Sequence, residues 1–487
     1  MARSSIDYAP RDPGGRVLYQ IVRDHFETFR AEAAQLRDGE GLPRFVEEEF
    51  EAFLRCGWLA GGFARFRCGG CGTDRLVAFS CKGRGFCASC GGRRMTERAA
   101  HLVDRVFPDV PVRQWVLSLP PRIRYPLAWR HDACKAAVGV LLREVTRHLR
   151  DRARAGGLHD PRGGAVAIVQ RFGGALNLNI HIHALVLDGV FARAADGRLA
   201  FHAAPGVTAA DVADVLAAIQ PGVARVLARL GLGQDGDQAD SFAEATPVLA
   251  GLAAASAQGM VSLGGRPGSR PGRRGVTVDG PAERRLGACQ ARWEGFDLHA
   301  GLLVPAGDRD RLERVCRYTL RPPVTDERLR LGTDGRVVLQ LRHPWADGTT
   351  ALLFEPTAFL ERLAVLVPRP RINLVLYHGV LAPRSAWRTE VVRRYAQVVA
   401  ADTGAAATPA SEPAAPDDRA RSRWAALMRR AFGVDVLACP RCGGRLRLIA
   451  LLDASAVAER ILRHLGLPTE VPQARPARAP PLRDDAA

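Results

Sequence analysis

The sequence predicts an α+β protein whose core is an antiparallel sheet. Two observations favour this fold class: strand patterns are mixed with helical patterns, and a predicted hairpin takes the place of regular β-α-β repeats. The chain has 487 residues, of which 47% are hydrophobic. It can therefore bury a large core, and a chain of this length divides into two or three domains.

Hydrophobic periodicity gives the predicted elements of the core. Helical patterns cover 16–55, 135–150, 308–320 and 357–366, and strand patterns cover 114–119, 165–172, 180–187, 337–342, 351–355 and 372–377. Residues 204–290 are rich in Ala and Gly, which predicts a helical insertion followed by a flexible basic loop at 264–275.

Composition divides the chain into segments. The predicted order is an N-terminal helical segment (1–45), a cysteine-rich DNA-binding domain (46–105), the α+β core (106–390, with its insertion at about 204–300), a linker (401–418), a small C-terminal module (419–467) and a tail (468–487). The linker and the tail are predicted to be disordered, because they are rich in Ala, Pro, Arg and Asp and cannot bury a core.

The charge balance predicts a polyanionic partner. Lys and Arg number 69 against 51 Asp and Glu, a net charge of +18, which favours nucleic acid first and an anionic membrane surface second. No apolar run of roughly 18 residues is present, so no membrane span is expected. The first residues lack the apolar stretch of a signal peptide, and we expect a cytoplasmic protein that associates with the nucleoid when bound to DNA.

The cysteines predict a metal site of an intracellular protein. Eleven cysteines, an odd number, include close pairs instead of the even spread of a disulfide framework. Cys68-x2-Cys71 and Cys87-x2-Cys90 are separated by 15 residues, and two such knuckles complete a tetrahedral four-thiolate site for zinc. A closed site of this kind serves folding and docking, because it leaves no coordination position open for catalysis.

Other features of the cysteine-rich regions leave alternatives open. Cys81 is either an alternative ligand of the zinc site or a small buried residue. Cys439 and Cys442 form another knuckle that no cysteine follows. This possible second zinc site needs partners from elsewhere, such as His464, or is a degenerate half-site. The N-terminal cysteines lie among arginines that suit DNA backbone contact or form a solvated basic face: Arg65, Arg67, Arg75, Arg84, Arg93 and Arg94.

A histidine pair lies in the predicted strand 180–187. His181 and His183 alternate with apolar residues, so they share one face of the strand about 7 Å apart. Two imidazoles so placed can share one catalytic metal ion. Gln170 lies in the preceding strand and could supply an oxygen ligand if the two strands pair. The alternative is a pair of structural histidines.

The helix that begins after Asp308 carries a candidate nucleophile. Its apolar stripe is formed by Leu312, Val315, Cys316 and Thr319. Tyr318 falls at the edge of this stripe, where a phenol held among cations can attack a phosphorus atom. The candidate DNA-binding residues around it are Arg311, Arg314, Arg317 and Arg321. The alternative is an interfacial tyrosine that packs its ring and solvates its hydroxyl.

Taken together, these motifs resemble one family, the HUH-type rolling-circle transposases of insertion sequences of the IS91 and ISCR type. The resemblance runs from about residue 45 to residue 390. It is carried by VAFSCKGRGFCASCGGRRM, QWVLSLP, VQRFGGALNLNIHIHALVLDGVF, CRYTLRPPV and LVLYHGVLAPRSAWR. It implies a ferredoxin-like HUH endonuclease core with His181 and His183 on the sheet and Tyr318 as the nucleophile on a nearby helix.

The resemblance also implies a chemistry. Mg²⁺ or Mn²⁺ on the histidines would polarise a phosphate of single-stranded DNA at the element ends, and Tyr318 would form a 5′-phosphotyrosine. Two imidazoles fit Mn²⁺ better than Mg²⁺. Two-tyrosine members carry a second tyrosine four residues earlier, where this chain has Arg314, which favours a single nucleophile.

Other functions fit the same residues. A replication initiator or relaxase would use the same chemistry at a different origin, although the cysteine-rich segment and CRYTLRPPV favour a transposase. A non-enzymatic zinc-ribbon DNA-binding protein would bind DNA but would not nick it in the presence of any metal ion. A third alternative is an inactive remnant of an element.

Overall fold

The computed structural model describes residues 12–36, 39–232, 240–276, 286–392, 425 and 435–478. The predicted linker at 401–418 lies outside them. The helices are α1 (Val17–Gln35), α2 (Arg44–Arg55), α3 (Ala88–Arg105), α4 (Pro121–Trp129), α5 (His131–Ala155), α6 (Ala209–Arg229), α7 (Ser241–Ala245), α8 (Pro247–Ala257), α9 (Arg309–Leu320), α10 (Pro356–Leu366) and α11 (Ala456–His464).

The strands form antiparallel sheets, as the sequence predicts. They are β1 (Gly62–Cys68), β2 (Asp74–Ala78), β3 (Val112–Ser118), β4 (Gly164–Phe172), β5 (Leu178–Leu187), β6 (Gly189–Arg193), β7 (Leu199–Ala203), β8 (Gly272–Arg274), β9 (Gln290–Trp293), β10 (Phe296–Val304), β11 (Leu329–Leu331), β12 (Val337–Gln340), β13 (Ala351–Phe354), β14 (Val375–Gly379) and β15 (Leu446–Asp453).

The largest sheet has six strands in the order β14-β4-β5-β3-β10-β9. Both β3 and β4 pair antiparallel with β5, so they run parallel to each other on either side of it. The chain crosses from β3 to β4 through α4 and α5. This is a split β-α-β arrangement, which places β5 at the centre of the sheet.

Helices cover both faces of this sheet, which explains why its central strands read as nearly continuous apolar runs. One face packs on α3 and α9 through residues such as Val166, Ile168 and Leu185. The opposite face packs on α4, α5, α6, α8 and α10 through residues such as Trp115 and Ile182. Side chains alternate along a strand, and His181 and His183 lie four and two residues before Leu185 on β5. The two histidines therefore lie on the face that packs on α3 and α9.

The predicted insertion contains part of the main sheet. Helices α6, α7 and α8 occupy its first part, but β9 and most of β10 also lie between 204 and 300, and β10 pairs with β3. The basic stretch 264–275 ends in β8, which pairs with β13 in a four-stranded sheet. The Gly and Arg content that predicted a flexible loop is compatible with a strand at a sheet edge, where one side of the backbone faces solvent.

Within residues 435–478, the C-terminal part that the structure describes, the chain packs on the N-terminal region instead of forming a separate module. Strand β15 pairs antiparallel with β1, so it completes a three-stranded sheet with β1 and β2. Part of the tail also packs on the N-terminal segment. The side chain of Arg475 forms an ion pair with Asp24, and its backbone N–H donates to the carbonyl oxygen of Arg23. No helix among the described residues combines the length and apolar content that crossing a membrane requires.

Candidate active site and metal centres

The two histidines of β5 lie side by side on one face of the main sheet. Their ring centroids are 5.0 Å apart. The Nδ1 atom of His181 lies 2.9 Å from the carbonyl oxygen of Asn179. Since a carbonyl can only accept, Nδ1 carries the proton and Nε2 keeps a free lone pair. Burial lowers the pKa of His181 to about 4, so this imidazole is neutral at neutral pH and available as a ligand.

His183 is held by a residue to which sequence analysis gave no role. Its Nδ1 lies 3.0 Å from the amide nitrogen of Gln114 on β3, while its Nε2 is buried without a hydrogen-bond partner. Burial and the neighbouring His181 hold the pKa of His183 well below its usual value. A metal at Nε2 needs the proton on Nδ1, which requires Gln114 to present its amide oxygen instead of its nitrogen.

Gln170 joins the histidine strand to the tyrosine helix. Strands β4 and β5 pair with Gln170 directly opposite His181, so both side chains share one face. Its amide nitrogen donates to the carbonyl oxygens of Thr319, at 2.7 Å, and Tyr318, at 3.3 Å. These two acceptors fix the orientation of the amide, and its oxygen is left buried without a partner. The unpartnered atoms of Gln170 and His183 fit a metal ion as ligands.

The nucleophile candidate lies at the C-terminal end of α9. Asp308 caps this helix by accepting from the backbone N–H of Arg311 at 3.0 Å, and Pro322 ends it by forcing Arg321 into an extended conformation. The predicted apolar stripe is buried, whereas Tyr318 is 48% exposed. The ring centroid of Tyr318 lies 6.1 Å from that of His183.

The four candidate arginines of this region have different surroundings. The guanidinium of Arg321 lies 4.0 Å from the ring centroid of Tyr318 and donates to its carbonyl oxygen. Arg317 is engaged in an ion pair with Glu313. Arg311 is half-buried and Arg314 is exposed. Arg321 is therefore the arginine of this set whose guanidinium contacts the tyrosine ring.

The structure does not bring the four predicted zinc ligands together. Two clusters of thiols that could each hold a metal ion are present among the described residues: Cys56, Cys81, Cys87 and Cys90 in the first, and Cys68, Cys71, Cys439 and Cys442 in the second. Each predicted knuckle is intact, but each belongs to a different cluster. Cys81 belongs to the first cluster, and the unpaired C-terminal knuckle finds its partners in Cys68 and Cys71, not in His464.

The β1–β2 hairpin is the physical reason for this grouping. Cys56 precedes β1 and Cys81 follows β2, so both lie at the open end of the hairpin, while Cys68 and Cys71 lie at its turn. A strand of seven residues spans about 20 Å, which is too far for one ion to bridge. Sequence spacing did not identify Cys56 as a candidate ligand, because no second cysteine lies near enough in the sequence to form a knuckle with it.

The sulfur geometry of both clusters suits zinc. Sulfur atoms in contact are 3.4 to 3.8 Å apart in the first cluster and 3.5 to 3.6 Å apart in the second. Zinc–sulfur bonds of about 2.3 Å in a tetrahedron give separations of about 3.8 Å. Hydrogen bonds from Thr73 lower the pKa of Cys71 to about 6, and those with Cys81 and Cys87 lower the pKa of Cys56 to about 6. Both favour the thiolate that binds metal.

We therefore expect two zinc ions per chain. Replacing Cys439 and Cys442 with serine should release one of them and destabilise the contact between β15 and β1, because the second cluster joins segments 374 residues apart. Replacing Cys87 and Cys90 with serine should release the other. Zinc content is measured by elemental analysis of the purified chains.

The control is Cys289→Ser, which changes a partly buried thiol outside both clusters and should retain both ions. A wild-type chain with one zinc, or unchanged zinc content in both double variants, would contradict the two-site assignment.

Comparison with known families identifies the class of protein. A family model described as "Putative transposase" matches residues 164–388, which include the histidine pair, Gln170 and Tyr318. A second, described as "Transposase zinc-binding domain", matches residues 21–119, which include the first thiol cluster and the β1–β2 hairpin. The chain is a transposase by these two matches, and it belongs to the IS91 family. No curated protein and no solved structure matches it.

Proposed function

We propose that this transposase nicks and rejoins single-stranded DNA at the ends of its element through a covalent 5′-phosphotyrosine, in rolling-circle transposition. The observation that carries this proposal is the exposed phenol of Tyr318 beside a neutral histidine pair, with Arg321 against its ring. A ferredoxin-like HUH endonuclease core is part of the proposal. The split β-α-β arrangement with the histidines on its central strand supports it.

Three residues of this chain would hold the catalytic ion. His181 and His183 would bind through Nε2, and Gln170 through its amide oxygen. A bound Mg²⁺ or Mn²⁺ would polarise the scissile phosphate. Because this ligand set is neutral, a bound ion would keep its full positive charge toward the DNA. The backbone carbonyl of Asn179 and the amide of Gln114 would orient the two imidazoles, as outer partners of metal-binding histidines do.

The tyrosine performs the covalent step. The phenol oxygen of Tyr318 attacks phosphorus, a new O–P bond forms, and the bond from phosphorus to the 3′-oxygen breaks. The phenol proton leaves to solvent, and the departing 3′-oxygen takes up a proton. A protonated phenol is a weak nucleophile, so Arg321 stabilises the negative charge that develops on it. The reverse attack by a 3′-hydroxyl on the phosphotyrosine releases the phenol and rejoins the strand without ATP, because the phosphotyrosine linkage conserves the energy of the phosphodiester bond.

The test is a covalent adduct assay. The full chain is incubated with single strands from the two ends of the element in Mn²⁺, in Mg²⁺ and in a chelator, and adducts are separated under denaturing conditions. We expect adducts with either metal and none with the chelator. A non-enzymatic zinc-ribbon DNA-binding protein predicts DNA binding without adducts in any metal, so the absence of adducts under all conditions would overturn the proposal.

Gln170 provides a separate prediction about the metal. Gln170→Ala removes the oxygen ligand, and we expect it to raise the Mn²⁺ concentration for half-maximal adduct formation by about 10- to 100-fold. Gln170→Glu keeps an oxygen at this position, so we expect it to remain close to wild type in Mn²⁺. Titration of adduct yield against Mn²⁺ measures both variants. If Gln170→Glu is as impaired as Gln170→Ala, the residue acts through its hydrogen bonds to α9 instead.

A further inference from the structure

A cleft separates the zinc-binding region from the main sheet beside the tyrosine helix. We call it the arginine cleft. Its volume is about 130 Å³. Its charged lining comes from Arg84, Arg94 and Arg98 on one wall and from Arg171 and Arg321 on the other. Its apolar lining includes Ile168, Met95, Pro322 and Leu374. Gln170 and Thr319 also line it, so the cleft begins at the candidate active site.

The positive charge of the cleft exceeds the negative charge beside it, because Glu49 is the acidic residue that acts on Arg84. Within the described ranges, none of its five arginines forms an ion pair, although the guanidinium of Arg171 is engaged by the backbone carbonyls of Ala128 and Val365. Burial lowers the pKa of Arg84, and the positive charges of Arg94 and Arg98 lower it further. Glu49 lies near Arg84, but its carboxylate accepts from the backbone N–H groups of Arg84 and Gly85. Guanidinium groups held together in this way, without an ion pair, fit a phosphate.

The two walls of the cleft are held by close contacts. A Cβ atom on Gly91, in α3, would lie 2.8 Å from the Cβ of Pro322, which follows α9. A Cβ on Gly85 would lie 3.0 Å from a methyl group of Val367, which follows α10. Glycine at both positions therefore allows the zinc-binding region to pack directly on the core. The cleft is preformed, so a ligand pays little ordering cost there.

The size of the cleft limits its ligand. An apolar cavity of roughly 150 Å³ binds benzene, so the arginine cleft, at about 130 Å³, is on the scale of a single planar ring. Its composition suits a nucleotide, because the apolar lining can contact a base while the arginines contact its phosphate.

We propose that the arginine cleft binds one nucleotide of single-stranded DNA that flanks the scissile phosphate. This inference rests on the proposed function, since it assigns a second binding position to the same strand. It gives α3 a direct part in substrate binding: the region that carries the first zinc cluster forms one wall of the DNA channel.

Arg98 is the residue to test. Arg84 and Arg94 donate to backbone carbonyls of Ile372, Lys82 and Gly83, so their loss could disturb the fold, whereas Arg98 is exposed on α3. Binding of a fluorescent oligothymidylate is measured by anisotropy at several salt concentrations, without divalent metal. We expect Arg98→Gln to reduce the salt slope by about 0.7, with affinity reduced about fourfold at 0.15 M salt. Arg98→Lys should retain most of the slope.

The matched control is Arg105→Gln, an exposed arginine of the same helix that does not line the cleft. It should keep the wild-type slope. Photo-cross-linking with an oligothymidylate that contains 4-thiothymidine should label peptides of α3 or of the segment after α9. Equal slopes for the Arg98 and Arg105 variants, with cross-links only elsewhere, would overturn the inference.

The outcome separates this inference from the proposed function. If adducts form while Arg98→Gln binds like wild type, the cleft assignment fails and the enzyme assignment stands. If Arg98→Gln loses affinity while no metal yields adducts, the cleft stands as a single-strand binding site and the enzyme assignment fails.

Discussion

Tyr318→Phe is expected to abolish the covalent adduct while leaving folding and DNA binding unchanged. Phenylalanine keeps the ring that packs beside His183 and under Arg321, and it removes only the oxygen that attacks phosphorus. Removal of the nucleophile costs one well-studied protease about a million-fold in turnover, so we expect a loss of at least about a thousand-fold here. Adduct yield on denaturing gels measures the chemistry, and anisotropy with the same strand measures binding.

The matched control for this variant is Tyr377→Phe. Tyr377 lies on β14, half-buried, and burial raises the pKa of its phenol, which makes it a poorer nucleophile. This variant should form adducts at the wild-type level. Peptide mapping of the wild-type adduct should place the DNA on the fragment that contains Tyr318. An adduct on Tyr377, or on Tyr395, which lies outside the described residues, would move the nucleophile but keep the enzyme class.

His183→Ala is expected to abolish cleavage with little effect on DNA affinity. Loss of an outer partner of a metal-bound histidine already costs about 10- to 100-fold, so loss of a ligand should reduce adduct formation by more than about 100-fold. Binding depends on arginine–phosphate contacts, which this variant retains. The measurement is adduct yield over a Mn²⁺ titration, together with anisotropy in the absence of metal.

His299→Ala is the control, because it removes an imidazole from the same face of the same sheet. His299 pairs with Val116 on β3, which in turn pairs with His183 on β5, so it lies two strands from His183, about 10 Å away. We expect wild-type adduct yield from this variant. Normal nicking by His183→Ala would refute the metal-ligand assignment.

Much of the fold could be predicted from local periodicity. The strand patterns at 165–172 and 180–187 correspond to β4 and β5, and the helical pattern after Asp308 corresponds to α9. Strand β14 begins three residues later than the pattern at 372–377 and extends to Gly379. Strand β10 was not predicted. Its segment FDLHAGLLV follows a long stretch rich in Gly and Arg, which obscures where regular secondary structure resumes.

The sequence by itself determined the parts of the site that depend on the repeat of side-chain directions along a strand or a helix. Alternation along β5 puts His181 and His183 on one face, and the helical period puts Tyr318 at the edge of a buried stripe. The prolines after Arg321 determine where α9 ends. Each of these features depends on residues within a few positions of one another, so the pattern of the chain is sufficient to predict it.

Only the tertiary structure decided which distant residues meet. It joined Cys68 and Cys71 to a knuckle near the other end of the chain, placed Gln114 against His183, and packed α3 beside α9 to form the arginine cleft. Spacing rules predict which cysteines form a knuckle, because that geometry is local. Which knuckles share an ion depends on the direction of the β1–β2 hairpin and on the pairing of β15 with β1, contacts that no local pattern encodes.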